Sequence, residues 1–390
     1  MKFAVKAWSS GGGRSGLLQL GGCPLDTPAV LLSTRKGLPF FLSPDLLSSL
    51  PSPHSRLLHL CPLHFFEGLS LQTVSSMGGL HKLLSLPDHH YLSVLRDSID
   101  CVPDPSATNK FGASFDTPYG RFLVKPADYV DMISSMKPNI WATLADEVPN
   151  TVSAKRNKTS VERTLRWLDE CIALSPVGCG AIFGSIVGGD SVEERRRCAQ
   201  DVANRSLSGY WIGGFGLGEN TENLAALMNA VTECLPDEKP RLVSGLGTPE
   251  EILEGVAAGV DLFNSAYIYD LTLRGFALIF PAESIKADLA KFVSVGSGGD
   301  RTKINLRETG FRKDITALVE NCRCYTCCNH TKAYIHHLLN VKELLAHILL
   351  EIHNTHHYLG FFASIREAIR EGQFEELRRQ FLDKTDCVSE

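Results

Sequence analysis

Apolar and polar positions along this chain form blocks whose period changes, and the period identifies the element. Asn139–Leu144, Ala181–Val187, Gly209–Phe215, Arg241–Leu246 and Val260–Phe263 are short, nearly continuous apolar runs, the pattern of strands covered on both faces. Between them the period lengthens. From Thr159 to Leu174, Val161, Leu165, Leu168 and Ile172 fall on one helical face. Ser191 opens another helix as its N-cap, with Glu194 in the capping-box position, and that helix runs to Asn204. Further helices are expected over Leu224–Cys234 and Pro249–Ala258.

The stretch Arg241–Tyr267 is punctuated most completely. Thr248 can cap a helix, Pro249 takes its first position, Glu251 completes a capping box and Gly259 ends it. Apolar strands alternating with helices predict an α/β fold built on a parallel sheet with right-handed crossovers. A closed (β/α)8 barrel and an open doubly wound sheet both satisfy the pattern. No Gly-x-Gly-x-x-Gly turn opens an early helix, which favours the barrel.

Residues 1–65 read differently, as a β-rich segment in which apolar runs such as Ala29–Leu32 are cut by turn residues, suggesting short antiparallel strands. The barrel is expected over residues 66–310, a Cys/His-rich subdomain over 311–360 and a C-terminal helical segment over 361–390. Ala282–Asp300, which ends in Gly296-Ser297-Gly298-Gly299, reads as a flexible loop. A helix is expected from Thr331 to His353 and a charged one from Ala363 to Phe381.

Composition adds little to this. With 390 residues, 44% hydrophobic and 21% charged, the chain can build one large core with an appendage. Its 39 basic and 44 acidic residues give a net charge of −5, which excludes a polycation and leaves any nucleic-acid contact to a local patch or to a partner. No apolar run reaches the ~18 residues of a membrane span, and Met1-Lys2-Phe3-Ala4-Val5-Lys6 opens neither a signal h-region nor an Arg-rich presequence. A soluble, cytoplasmic protein is expected.

Of the 12 Cys, eight are scattered and are expected to be incidental thiols, whereas Cys322, Cys324, Cys327 and Cys328 are clustered. In a cytosolic chain such clustering favours a metal over disulfides. Three thiolates on a tight loop and an imidazole from the next helix would give Zn2+ a closed tetrahedral site, which is structural rather than catalytic. Spacing alone leaves the histidine open among His330, His336, His337, His347, His353, His356 and His357, most of which suit a solvated or partner-facing helix surface. In a barrel, function sits at the C-terminal ends of the strands. Those ends carry Asp146-Glu147, Gly188-Gly189-Asp190, Gly213-Gly214 with Glu219, and Asn264-Ser265. The Gly213-Gly214 pair would let a planar ligand approach the backbone, although a tight turn needs glycine as well.

Three stretches in order, Gly209-Tyr210-Trp211-Ile212-Gly213-Gly214-Phe215-Gly216-Leu217-Gly218-Glu219, Lys239-Pro240-Arg241-Leu242-Val243-Ser244-Gly245-Leu246-Gly247-Thr248-Pro249 and the Cys cluster, resemble successive signatures of the tRNA-guanine transglycosylase family. The resemblance runs from Phe111 to Phe362. It implies a (β/α)8 barrel, exchange of a tRNA anticodon guanine for queuine or a precursor, and a Cys3His zinc subdomain. The family's spacing of 26 residues from the last Cys ligand to the His lands on His353, so the implied ligands are Cys322, Cys324, Cys327 and His353, with Cys328 a buried thiol outside the set.

The departures from the family pattern carry the functional expectation. Where active members place the Asp that attacks the ribose, this chain has Asn264, and an amide is no such nucleophile. The Asp-Ser-Gly-Gly-Phe-Gln motif of the general acid/base is missing, with Asp97-Ser98 its nearest remnant, and Val187 replaces a guanine-contacting Gln. Asp146, aligned with a base-recognising Asp, survives with Gly213 and Gly214. Eukaryotic members work as a heterodimer of a catalytic subunit and a degenerate paralogue, and the chain resembles the paralogue. That implies pairing with the catalytic subunit through the zinc subdomain, help in holding tRNA, and residence in the cytoplasm or peripherally on the mitochondrial outer membrane. The alternatives are an active transglycosylase in which Asp261, Asp270 or Asp97 takes over as nucleophile, and a module that binds free queuine.

Overall fold

Eight short strands form one parallel sheet: β1 (Ala29–Leu31), β2 (Leu57–Leu60), β3 (His90–Ser93), β4 (Ile140–Ala142), β5 (Ala181–Ile186), β6 (Gly209–Ile212), β7 (Arg241–Ser244) and β8 (Leu262–Asn264). The computed structural model describes residues 1–66, 68–217, 223–264, 266–280 and 302–382. Each strand pairs in parallel with its neighbour, and β8 returns to β1 through Leu262–Ala29, Phe263–Val30 and Asn264–Leu31. Leu32 then bridges Leu58 in parallel, its N–H donating to Leu57 O at 2.9 Å while His59 N–H donates to Leu32 O at 2.9 Å. The sheet therefore closes on itself as a (β/α)8 barrel.

The strands are apolar throughout because both sides are covered. Leu57 on β2 joins the main apolar cluster with Leu31, Leu92, Ile140 and Phe183, whereas Leu58 and Leu60 pack with Leu42, Leu47 and Leu50. That alternation is the pleat of a strand. The helix Pro249–Ala257 forms as its punctuation requires, with Thr248 Oγ1 accepting from Glu251 N–H and the Glu251 carboxylate accepting from Thr248 N–H. At the helix Val192–Ala203 only half of the expected box forms. Ser191 accepts from Glu194 N–H, but the Glu194 carboxylate turns to Arg197.

Two expectations are corrected at the termini. The antiparallel strands of the N-terminal segment are Lys2–Trp8, Arg14–Leu20 and Cys23–Thr27, but Ala29–Leu31 and Leu57–Leu60 are parallel staves of the barrel. A run of three or four apolar residues carries no periodicity from which direction can be read. The single helix expected from Thr331 to His353 is two, Lys332–Asn340 and Leu344–Glu371, separated at Lys342, whose φ is 60°. The second continues through Ala363, where a separate helix was expected to start, and ends at Gly372 in the left-handed region; Phe374–Leu382 follows. The loop expected over Ala282–Asp300 lies outside the described residues, as do Glu219 and Ser265.

The helix Leu344–Glu371 ties the C-terminal part to the barrel. Arg366 donates to Pro28 O at 2.8 Å, Tyr358 O–H donates to Gly247 O at 2.6 Å, and Phe41 N–H donates to Glu351 at 3.1 Å. Among the described residues no helix is long and apolar enough to cross a membrane.

At the opposite end of the barrel from the strand C-termini, Arg14 closes the floor. Fully buried, it donates from Nε to Asp261 Oδ1 at 2.9 Å and from Nη2 to Oδ2 at 2.6 Å, and Arg241 N–H donates to the same Oδ2 at 2.7 Å. Asp261 directly precedes β8, three residues before the end that carries Asn264. A buried ion pair broken from one side leaves an uncompensated charge, so Arg14→Met is expected to cost about 3–5 kcal/mol in a denaturant titration. A loss below about 1 kcal/mol would show the pair to be dispensable.

Candidate metal centre and the barrel mouth

β4 delivers Asp146 and Glu147 to the mouth of the barrel, and both are buried. Asp146 N–H donates to Thr164 Oγ1 at 3.0 Å, which fixes the turn. Its carboxylate is filled from the helix Ala154–Leu174. Arg156 donates to both oxygens, at 2.7 and 2.8 Å, and Arg163 adds a bond to Oδ2 at 3.1 Å. The two arginines are seven residues apart, two turns on the same helical face, so one helix presents two guanidinium groups to one carboxylate. Sequence reasoning missed both, although their spacing just after Asp146 is a readable signal.

Glu147 occupies the glycine pair. Its Oε2 accepts from Gly214 N–H at 2.7 Å and from Arg96 Nη1 at 2.8 Å. Gly214 has φ 78°, and a Cβ on Gly213 would come within 2.6 Å of the Trp211 ring, so both glycines are required by the turn and its packing. Arg195 donates to Gly189 O and to Gly213 O at 3.1 Å, with its guanidinium 4.1 Å from the Phe215 ring centroid. Donors and acceptors that could meet a planar base are thus engaged with the chain's own side chains.

Asn264 ends β8 as a nearly buried amide that donates to Ser244 Oγ at 3.2 Å, beside Trp211 Nε1, which donates to the same oxygen at 2.9 Å. Val187 is buried in the main apolar cluster. Of the other acids, Asp97 is buried at 3.0 Å from His64 Nε2 and accepts from Ile99 N–H and Asp100 N–H. Asp270 is exposed in the first turn of the helix Tyr267–Arg274.

The second constellation lies behind the helix Leu344–Glu371. Cys324 is the N-cap of a five-residue helix, Tyr325–Asn329, its Sγ accepting from Cys327 N–H at 3.3 Å, so one turn brings the two sulfurs together. Thr326 Oγ1 donates to Leu349 O at 2.7 Å and ties this turn to the long helix that carries His353. His353 Nδ1 lies 3.3 Å from Cys327 Sγ, 3.5 Å from Cys324 Sγ and 3.9 Å from Cys322 Sγ. Its other nitrogen, Nε2, donates to Leu278 O at 2.8 Å, which leaves the Nδ1 lone pair directed at the sulfurs.

The donor set fits a metal. Zn–S bonds near 2.3 Å and Zn–N bonds near 2.0 Å in a tetrahedron place ligand atoms about 3.6 Å apart. The four ligand atoms lie within 4.8 Å of one another, Cys324, Cys327 and His353 are buried, and Cys322 is half-buried. Cys328 is exposed, a correction to the buried thiol expected there, because the helical turn that aims Cys324 and Cys327 inward aims its neighbour outward. Of the histidines expected on a solvated or partner-facing surface, His337 is exposed and His330, His347 and His356 are half-buried, but two lie inside. His336 Nδ1 donates to Leu306 O at 2.8 Å, His357 Nε2 donates to Phe280 O, and both are buried.

The sequence profile of the family described as queuine tRNA-ribosyltransferase matches residues 9–386. This chain belongs to that family. Proteins named queuine tRNA-ribosyltransferase accessory subunit 2 are similar over almost their whole length. The one from Xenopus tropicalis is 35% identical over 97% of this chain and 98% of its own. The one from Homo sapiens is 33% identical over 91% and 92%, and the one from Drosophila yakuba 31% over 97% and 91%. The queuine tRNA-ribosyltransferase match thus spans the N-terminal strands, the barrel and the Cys cluster together.

Proposed function

We propose that this chain is a non-catalytic subunit of a heterodimeric queuine tRNA-ribosyltransferase, pairing with the catalytic subunit and helping to hold tRNA while guanine is exchanged for queuine at the anticodon. The observation that carries the reading is the occupied mouth: Asp146 is taken by Arg156 and Arg163, Gly214 N–H is taken by Glu147, and an amide, Asn264, ends the strand where the family resemblance puts the attacking Asp. The accessory-subunit names of the similar proteins support it. An active enzyme with a displaced nucleophile is disfavoured, because Asp261 is locked by Arg14 on the barrel floor, Asp97 is locked by His64, and Asp270 is exposed on a helix. A free-base binder would need the Asp146 carboxylate that the two arginines occupy.

Zn2+ in this proposal is held by Cys322, Cys324, Cys327 and His353. Bound there it supplies a four-coordinate cross-link and no open position. The chain's own residues do the rest: Leu278 O orients His353, and Thr326 anchors the Cys turn to the helix.

For the partner surface, Val341, Leu344 and Leu345 are exposed at the start of the long helix, next to a groove of about 630 Å³ that includes Phe40, Phe41, Tyr269 and Ile348. An obligate pair covers on the order of 2,000 Å² or more, and such a patch is its expected centre. Leu345→Glu is expected to abolish co-purification with the catalytic subunit while metal content stays unchanged; normal assembly by this variant would place the interface elsewhere. Cytoplasmic residence with peripheral attachment to the mitochondrial outer membrane belongs to the same proposal. Carbonate extraction of mitochondria should release the chain, and resistance to extraction would count against it.

A further inference from the structure

Two of the scattered cysteines meet in space beside a histidine. Cys61 follows β2 directly, His64 sits in the short 3-10 turn Pro62–Phe65, and Cys101 closes the loop after β3. All three are buried, at 0%, 3% and 1% exposure, and one ligand atom from each lies within 4.8 Å of the others. We propose that Cys61, His64 and Cys101 form a second metal site of the zinc class, at the barrel mouth and independent of the Cys322 cluster, with Asp97 orienting the histidine.

The support around the trio is what such a site needs. His64 Nε2 is 3.0 Å from Asp97 Oδ2, and Nδ1, also buried, has no hydrogen-bond partner. A carboxylate on one ring nitrogen with the other free is the usual arrangement behind a zinc-ligating histidine, because it fixes the tautomer and the ring orientation. Asp97 is itself rigid, accepting from Ile99 N–H at 3.1 Å and from Asp100 N–H at 3.3 Å. The backbone locks Cys101 in place as well. Asp97 N–H donates to Cys101 O at 3.0 Å, and Cys101 N–H donates back to Asp97 O at 3.1 Å.

Two thiolates and an imidazole select zinc-class cations over calcium or magnesium. Cys61 donates its S–H to Leu95 O at 3.1 Å. A cation bound here takes both sulfurs as thiolates, and any thiol proton it displaces leaves to solvent. Three protein ligands leave a fourth position, the pattern of an open zinc site. His59, two residues before Cys61, is buried, has neither ring nitrogen bonded, and interacts electrostatically with both Asp97 and His64.

Metal content of the full-length chain decides the matter. Purified under reductant without chelator, equilibrated with zinc and desalted, the wild-type chain is expected to hold about two zinc ions by mass spectrometry, one per cluster. Cys101→Ser and Cys61→Ser should each reduce this to about one, and substitution of the retained ion by cobalt should give a spectrum of three-thiolate type. A wild-type content of about one overturns the proposal, even where a serine variant fails to fold. So does an unchanged content in a folded Cys101→Ser chain, or a Cys61–Cys101 disulfide found under reductant.

Discussion

Replacing Cys324 by Ser is expected to lose both the bound metal and the soluble protein. Cys324 is at once a metal-directed sulfur and the N-cap of Tyr325–Asn329, and the buried Ala277, Ile304, Leu318, Ile335, Leu338, Leu349 and Leu350 pack around it. Apart from the ligand set, the side-chain bond from Thr326 Oγ1 to Leu349 O ties this turn to the long helix. A structural zinc contributes roughly 10–16 kcal/mol to the folding of small domains, comparable to the ~5–15 kcal/mol by which a whole domain is stable. Even a fraction of that loss would unfold the region. Cys328→Ser, by contrast, changes an exposed side chain outside the set and should shift stability by less than about 0.5 kcal/mol. Soluble yield and zinc content of the two variants separate the cases. Full zinc occupancy in a Cys324→Ser chain would show the ligand set to be wrong.

Asn264→Asp is expected to restore no base exchange. Loss of a covalent nucleophile costs on the order of 10^4–10^6 in rate, so the wild-type chain should be silent on that ground alone. The mutation returns a carboxylate beside Ser244, yet leaves the recognition groups occupied. Arg156 and Arg163 would still hold Asp146, and Glu147 would still cover Gly214 N–H. Freeing them is no small change, because removing the arginines leaves a buried carboxylate without a counter-charge, at about 3–5 kcal/mol. Incorporation of labelled guanine into tRNA, followed with the variant alone, checks this. Exchange at a rate near that of the complete enzyme would contradict it.

The barrel was legible because parallel strands covered on both faces leave unbroken apolar runs between amphipathic helices. Their ends were less so. Arg241–Leu246 stops at Ser244, since Gly245 takes φ 96° and turns the chain. β1 and β2 were misread as antiparallel, being too short to display a period. The long helix was cut in the wrong place because His353, Asn354, Thr355 and His357 look like a polar surface, whereas all four are buried. Polarity marks solvent only where no partner is available: Asn354 accepts from Leu278 N–H at 2.9 Å and donates to Phe276 O at 3.0 Å.

The same distinction holds at the sites. The positions of Asp146, Gly213, Gly214 and Asn264 could be read from the chain, but their occupancy could not. Arg156 and Arg163 reach Asp146 only once the helix Ala154–Leu174 packs against the barrel, and Glu147 meets Gly214 only once β4 and β6 join one sheet. The Cys322 cluster was visible because its thiols are adjacent in sequence. Cys61 and Cys101 were not, because two different loops must close before they meet.

The claim that this chain assists exchange without performing it is tested most directly by reconstitution. Purified chain, purified catalytic subunit and their mixture would each be given labelled guanine and cognate tRNA, and each would be sized by gel filtration. The account predicts no incorporation by the chain alone, a single complex containing both chains in the mixture, and incorporation that rises when that complex forms. Incorporation by the chain alone at the rate of the mixture would contradict it.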